Sequence, residues 1–383
     1  MSRSSGETLA AVFRLRPSGY DGEGPFPLRK KVPAGGRVIA CGRGAGRIRR
    51  MGLRTADFDY QLPPELIAAR PPADRAGARM LVLDRGTGAL EHRMFRELPE
   101  FLRPGDLAVL NDTRVIPARV FSDDGSLELL CLDRRSPVEW RCLVRPGRKL
   151  KPGRTVMVGG IRGTVAEVLP EGDRIIRWDA PPDLARVGRL ALPHYLGREQ
   201  EPADHDRYQT VYANREGAIA APTAGLHFTP EILARVPHGF LTLHVGVGTF
   251  RPVAAANPAD HVMHAERYSV DAPTTARINA ATRVIAVGTT VARVLETLGA
   301  QPAAGPGRRL PDGAHAGETD IFIRPPFRFR AVDALLTNFH LPRSTLIMLV
   351  CAFASHHQVM DAYRQAVAAR YRFYSYGDCM LVV

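Results

Sequence analysis

The chain reads as an α/β protein with a sandwich-like main domain built from both chain ends and a small β-barrel inserted between them. Three observations predict this. With 383 residues and 45% hydrophobic content, it exceeds the roughly 250 to 300 residues that one hydrophobic core usually serves. Five short β-type runs crowd the middle: Leu127–Leu132, Trp140–Val144, Thr155–Val158, Gly163–Val168 and Asp173–Trp178. Gly, Pro and Asp break them at the close spacing of a small barrel. On either side, strands alternate with helix signals. The expected boundaries are 51–118 and 196–383 for the α/β domain and 119–195 for the barrel, after a disordered or dispensable extension over 1–50.

Residues 1–50 are rich in Gly, Arg, Ser and Pro and keep neither helix nor strand period. Gly42-x-Gly44-x-Gly46 follows no strand there and carries no phosphate-loop reading. From Met51 the pattern changes: Pro63-Pro64 introduces a short helical stretch, Pro64–Ala69, and Met80–Asp84 and Asp106–Leu110 read as strands. Beyond the barrel, Gly239–Val245 and Arg283–Val287 read as buried strands, and Thr290–Leu298 and His357–Arg370 as helices. Thr229 before Pro230 predicts an N-cap and a first helical residue.

The longest apolar run, Leu346–Ala354, is far short of the ~20 residues that span a bilayer. No apolar segment follows the N-terminal charges in the manner of a signal peptide. A soluble, cytoplasmic protein without a membrane partner is expected. Cys41, Cys131, Cys142, Cys351 and Cys379 form an odd set without a C-x-x-C pair. That argues against a disulfide framework or a thiolate zinc site and suits a reducing compartment.

The formal net charge of +13 invites a nucleic-acid reading, but residues 1–50 hold 11 Lys+Arg against 3 Asp+Glu. Any basic footprint in the remainder has to come from local clustering. Lysine is confined to Lys30, Lys31, Lys149 and Lys151, so the cations are guanidinium forks that suit phosphate. The abundance of Ala, Gly, Pro and Arg makes compositional bias the stronger explanation of the bulk charge.

Several segments can carry chemistry. Strand Arg283–Val287 feeds Gly288-Thr289-Thr290 and a helix, so exposed amides there favour an anion or a sugar hydroxyl. The bland alternative is ordinary N-capping by Thr289 or Thr290. In His244-Val245-Gly246-Val247-Gly248 the paired glycines let a backbone approach a ligand. The small-residue loop Ala220–Phe228 ends in His227, an imidazole able to exchange a proton near neutral pH. A lone His is more often structural. His261-x-x-His264-x-Glu266 has no third ligand at a suitable spacing, so no metal is expected. Thr337–Leu346 and Tyr374–Asp378 set polar groups among large apolar ones, as a desolvated site or a hydrogen-bonded core corner would.

Together these segments resemble the S-adenosylmethionine:tRNA ribosyltransferase-isomerase family of queuosine biosynthesis, over Met51 to about Leu381. The resemblance rests on motifs in order: Asp57-Phe58-Asp59-Tyr60, Asn111-Asp112-Thr113-Arg114-Val115-Ile116-Pro117-Ala118-Arg119, Tyr208-Gln209-Thr210-Val211-Tyr212 and Ala220–Phe228. Leu243–Phe250, Met263-His264-x-Glu266, Val287–Thr290 with Arg293 and Leu295-Glu296, Thr337–Leu346 and Gly377-Asp378 continue it. It implies transfer and isomerisation of the ribosyl moiety of S-adenosylmethionine onto 7-aminomethyl-7-deazaguanine in the anticodon region of tRNA. Epoxyqueuosine-tRNA, adenine and methionine would result, with S-adenosylmethionine as substrate, no prosthetic group, and a monomeric enzyme.

On this resemblance, His227 and His244 are candidates for base or acid, and Asp378 and Glu266 for partners of the ribose or the substrate amine. Thr223, Gly225, Gly246, Gly248, Gly288 and Thr289 would lie against the nucleoside. Arg114, Arg119 and Arg293 are candidates for phosphate or carboxylate contacts, with surface salt bridges as the alternative. The chain departs from the family pattern at the short Ser122-Asp123-Asp124-Gly125-Ser126, at Pro193-His194-Tyr195, at Pro325-Pro326-Phe327 and at Cys379 after Gly377-Asp378. A paralogue acting on another acceptor, and a non-catalytic RNA-binding protein on the same scaffold, remain the alternative readings.

Overall fold

Runs of Val, Leu, Ile and Ala buried on both faces, as in Asp106–Asn111 and Arg283–Val287, set the centre of a nine-stranded mixed sheet. The computed structural model describes residues 52–246, 253, 255–302 and 307–383. The extension expected over 1–50, with Cys41 and the glycines near 42–46, lies outside the described residues.

The strands begin with β1 (Arg79–Leu83), β2 (Leu90–Met94), β3 (Asp106–Asn111) and β4 (Thr113–Val115). Next come β5 (Arg119–Phe121), β6 (Glu128–Ser136), β7 (Glu139–Arg145), β8 (Thr155–Val158), β9 (Ile161–Val168) and β10 (Arg174–Trp178). Then follow short helices α1 (Leu184–Val187) and α2 (Asp204–Arg207), strand β11 (Arg215–Ala218) and helix α3 (Pro230–Arg235). The rest is β12 (His238–Leu243), β13 (Glu266–Val270), α4 (Ala272–Ala280), β14 (Arg283–Val287), α5 (Thr289–Gly299), β15 (His315–Thr319), β16 (Ala334–Asn338), α6 (Thr345–Phe353), α7 (His356–Ala368) and β17 (Cys379–Val382).

The large sheet runs β15-β13-β12-β3-β14-β16-β17-β1-β2. Its four central strands, β12, β3, β14 and β16, are parallel, with Ile285 opposite both Ala108 and Ala334. Alternate residues of β3 serve opposite cores: Leu107 and Val109 pack with Val291 and Leu295 of α5, whereas Ala108 and Leu110 pack with Phe95 and Phe228. This is the two-residue period of a sheet covered on both faces.

The middle of the chain forms the second sheet, β5-β6-β7-β10-β9-β8. It is nearly closed and barrel-like. Its two edges meet where the Asp123 amide donates to the Met157 carbonyl at 2.9 Å, and the Asp123 carboxylate accepts the Gly159 and Gly160 amides at 2.6 and 2.9 Å. The unusual Ser122–Ser126 segment therefore supplies the closing contact. Trp140 and Trp178, with ring centroids 5.4 Å apart, fill the interior with Leu129, Val144 and Ile176.

Three expectations are corrected. The helical stretch over Pro64–Ala69 is only a 3-10 turn, Pro64–Leu66. The backbone beyond it is captured by a distant strand-like partner: Phe373 donates to the Leu66 carbonyl at 2.8 Å, and Ala68 to the Phe373 carbonyl at 3.2 Å. Arg370 lies beyond α7 with φ +54, past the helix end. The barrel-like sheet has six strands rather than five, because Arg119–Phe121 is too short to show a period. By contrast, Thr229 caps α3, its hydroxyl accepting the Ile232 amide at 3.3 Å, and Pro230 opens the helix. Cys131, Cys142, Cys351 and Cys379 are free and buried. Among the described residues no helix is long and apolar enough to cross a membrane.

Candidate active site

The carboxyl ends of β14 and β16 open onto one edge of the large sheet, where ligands of open α/β sheets collect. Because β17 runs antiparallel to β16, the Tyr374–Asp378 turn before it reaches the same edge. A cleft lies there. One wall is Ala221-Pro222-Thr223-Ala224 with Gly288-Thr289-Thr290, and the other is Phe339, His340, Tyr374 and Ser375. Tyr195 completes it from just beyond the barrel-like sheet, its hydroxyl bonded to the Ser375 hydroxyl. Among the described residues, no lining side chain other than His340 is ionisable near neutral pH, and none is an acid, Lys or Arg.

Ordinary capping of α5 by a threonine does not occur. Gly288, at φ +96, occupies the N-cap position and no side chain caps the helix. Thr289 and Thr290 fall inside the first turn, where a hydroxyl cannot serve the amides as an N-cap oxygen does. The Thr290 hydroxyl is buried without a partner among the described residues.

His227 lies one residue behind the cleft. Its Nε2 is 3.2 Å from Asn338 Oδ1, and Asn338 lines the wall. Burial pushes its pKa down to about 4, so the ring is neutral at pH 7. His340 faces the cleft itself, with Nε2 2.7 Å from the Thr337 hydroxyl, and burial lowers its pKa to about 3. Sequence reasoning marked the segment around His340 but did not single out this imidazole. The available signal was a His among buried-type apolar residues at a strand end.

His244 faces the other way from Val245, which lines the cleft, as successive residues of an extended chain do. Its Nδ1 is 2.8 Å from the Thr113 hydroxyl. Burial, then Arg267, lowers its pKa. The ring opens on a polar cavity of about 390 Å³ between the barrel-like sheet, at Cys131–Arg134, and the strands around Thr242 and Arg267. A further cavity of about 710 Å³ shares Ile116, Arg134 and Glu216 with it and adds Arg75 and Arg114. The two form one groove, spanned by the ion pair of Arg267 with Asp133.

Asp378 and Glu266 both hold backbone in place. Asp378 accepts the Arg79 and Arg372 amides at 2.9 and 2.7 Å, fixing the turn before β17. Glu266 accepts the Gly246 amide at 2.9 Å and pairs with Arg293 of α5, both being buried. Arg293 also donates to the Thr319 and Ile321 carbonyls. It therefore presents no surface to a phosphate. Arg114 is exposed in the groove, and Arg119 pairs with Glu128 at 3.2 Å. Thr223, Gly288 and Thr289 line the cleft. Gly225 does not; a Cβ there would lie 2.0 Å from the Tyr212 hydroxyl, so close packing requires the glycine. Gly248 lies outside the described residues. Among those described, no group of three or more His, Cys, Asp or Glu is placed to hold a metal.

The family model described as "Queuosine biosynthesis protein" matches residues 55–382. The chain belongs to this family. Within the queuosine biosynthesis family it is 48% identical over 356 residues to a protein of Moorella thermoacetica named S-adenosylmethionine:tRNA ribosyltransferase-isomerase, covering 86% of this chain and 100% of that one. A Thermotoga maritima protein of the same name is 46% identical over 347 residues, with the same coverage. The crystal structure of S-adenosylmethionine tRNA ribosyltransferase from Thermotoga maritima matches at 38% identity and a TM-score of 0.49, covering 85% of this chain and 100% of that one.

Proposed function

We propose that the chain transfers the ribosyl moiety of S-adenosylmethionine to the aminomethyl group of 7-aminomethyl-7-deazaguanine at the wobble position of tRNA. Isomerisation gives the epoxycyclopentane of epoxyqueuosine, and adenine and methionine leave. The observation that carries this reading is the likeness to relatives named for the activity, which extends over their whole length and takes in the elements that build the cleft.

In this reading the donor occupies the uncharged cleft, with its sulfonium against the aromatic faces of Tyr195, Phe339 and Tyr374. The reaction needs a base for a proton on the 5′-carbon beside the sulfonium, help for the departing adenine, and donors for the ribose hydroxyls. His340 faces the cleft in its neutral form and can accept that proton at an imidazole nitrogen. His227 acts from behind through Asn338. Thr223 and Ser375 hydroxyls are within the cleft to hold the sugar. The acceptor nucleotide enters by the polar groove, where Arg114, Arg134 and Arg267 meet phosphate and neutral His244 takes a proton from the ammonium, before the free amine meets the donor carbon in the cleft. The segment 119–195 is then an inserted domain of a sandwich-like α/β protein, and Cys131–Arg134 of its β6 form the groove wall.

The test is incubation with S-adenosylmethionine and tRNA bearing 7-aminomethyl-7-deazaguanine, reading adenine release and nucleoside mass. Adenine together with the epoxide mass is the expected result. A folded protein that binds S-adenosylmethionine but releases no adenine would point to another acceptor. Unchanged turnover in folded His340→Ala would remove that imidazole from the chemistry.

A further inference from the structure

We infer that the N-terminus of α5 is a carboxylate subsite. In the reading above, on which this inference rests, it holds the α-carboxylate at the amino-acid end of the donor.

Helix α5 is 11 residues long and its first turn carries no side-chain cap. The backbone N–H groups of Thr289, Thr290 and Val291 have no acceptor among the described residues. A helix start in this state presents convergent donors and partial positive charge. The second observation is independent of the helix end. Thr290, a residue of the cleft wall, is 8% exposed, and its buried hydroxyl has no partner among the described residues. A hydroxyl buried without a partner is unfavourable, which suits a site completed by a ligand that accepts.

Room for that ligand is built in. A Cβ on Gly288 would lie 3.6 Å from the Thr290 hydroxyl oxygen and 3.7 Å from the Ala224 Cβ, so the missing side chain leaves open the space between them. An acceptor that carries negative charge matches this end of the helix. Among the described residues the cleft has no lysine or arginine, and Arg293, one turn along α5, is committed to Glu266. Among the described residues the helix end is thus what offers positive potential to an anion in this cleft. An ionised carboxylate brings acceptors alone, matching a set of amides and a hydroxyl that can all donate. The sulfonium of the same molecule would face the aromatic wall opposite.

Calorimetric titration of the full chain with S-adenosylmethionine and with its decarboxylated analogue, which keeps the sulfonium and the adenosine, tests this. The wild-type chain should bind the analogue about tenfold more weakly, the scale of a lost hydrogen bond to a charged group. Thr290→Val should weaken S-adenosylmethionine by about tenfold and leave the analogue unchanged, and Thr290→Ser should restore the difference. Equal affinity of the wild-type chain for both ligands overturns the subsite. So does an equal loss of both in Thr290→Val, which would place the hydroxyl against the nucleoside. If the folded wild-type chain binds neither ligand, the donor assignment itself fails and takes the subsite with it.

Discussion

Asn338 presents its carbonyl oxygen to His227 Nε2 at 3.2 Å, while its amide nitrogen donates to the Tyr374 and Ser375 carbonyls at 2.9 and 3.3 Å. The two backbone carbonyls fix which way the amide points. Nε2 must then carry the proton and Nδ1 the lone pair. One side chain therefore sets the tautomer of His227 and the position of the Tyr374-Ser375 wall together.

Asn338→Asp places a carboxylate where the neutral oxygen stands, and an adjacent anion favours imidazolium. The pH profile of adenine release should move to higher pH in this variant. A profile that overlays the wild type would remove His227 from the protonation events of the reaction.

Acid should destabilise the fold through the same ring. Burial holds His227 at about 4 and His340 at about 3, whereas an unfolded His titrates near 6.5. Between those values the unfolded chain binds more protons, so stability falls as pH drops below about 6.5 and levels off near the folded pKa. For His227 the loss amounts to roughly 3 kcal/mol. Thermal midpoints measured from pH 7.5 to 4.5 should decline, and His227→Gln should flatten the decline. A slope unaltered by that change would refute the burial argument.

The Glu266–Arg293 pair makes a different prediction. Removing one member takes the opposite charge away from a buried group, at a cost of up to about 3 to 5 kcal/mol. Arg293→Met should lower the thermal midpoint sharply, and Glu266→Gln combined with Arg293→Met should cost less than the two single changes added together. Simple additivity would show that the pair is not coupled.

What could be read beforehand follows from how local each feature is. Val284 to Leu298 is legible because an apolar strand, a glycine turn and an amphipathic helix follow one another without a break. Four of the five central runs recur as strands to within two residues at either end, since their barrel partners are their sequence neighbours; β6 runs on to Ser136. Ile67 and Phe373 pair across the chain, and no local pattern reports that. The cleft is similar: Tyr195 and Ser375 meet although 180 residues apart. That Asp378 and Glu266 accept backbone amides is not legible either, because a carboxylate has the same sequence signature whether or not it holds backbone.

The groove and the cleft lie on opposite sides of the His244-Val245 step, and Gly217 offers a way to perturb one alone. Gly217 has φ +145, and a Cβ there would lie 2.8 Å from His244 Nδ1, inside any allowed contact. Gly217→Ala must therefore push the imidazole away from the Thr113 hydroxyl that now bonds it. Donor binding measured by calorimetry should be unchanged, since Gly217 lines the groove and not the cleft. Adenine release with tRNA should fall by about tenfold or more, the usual contribution of a positioned proton-transfer group being 10²–10⁴-fold. Parallel losses of donor binding and turnover would mean that the two sides form one site, and normal turnover would exclude His244 from the chemistry.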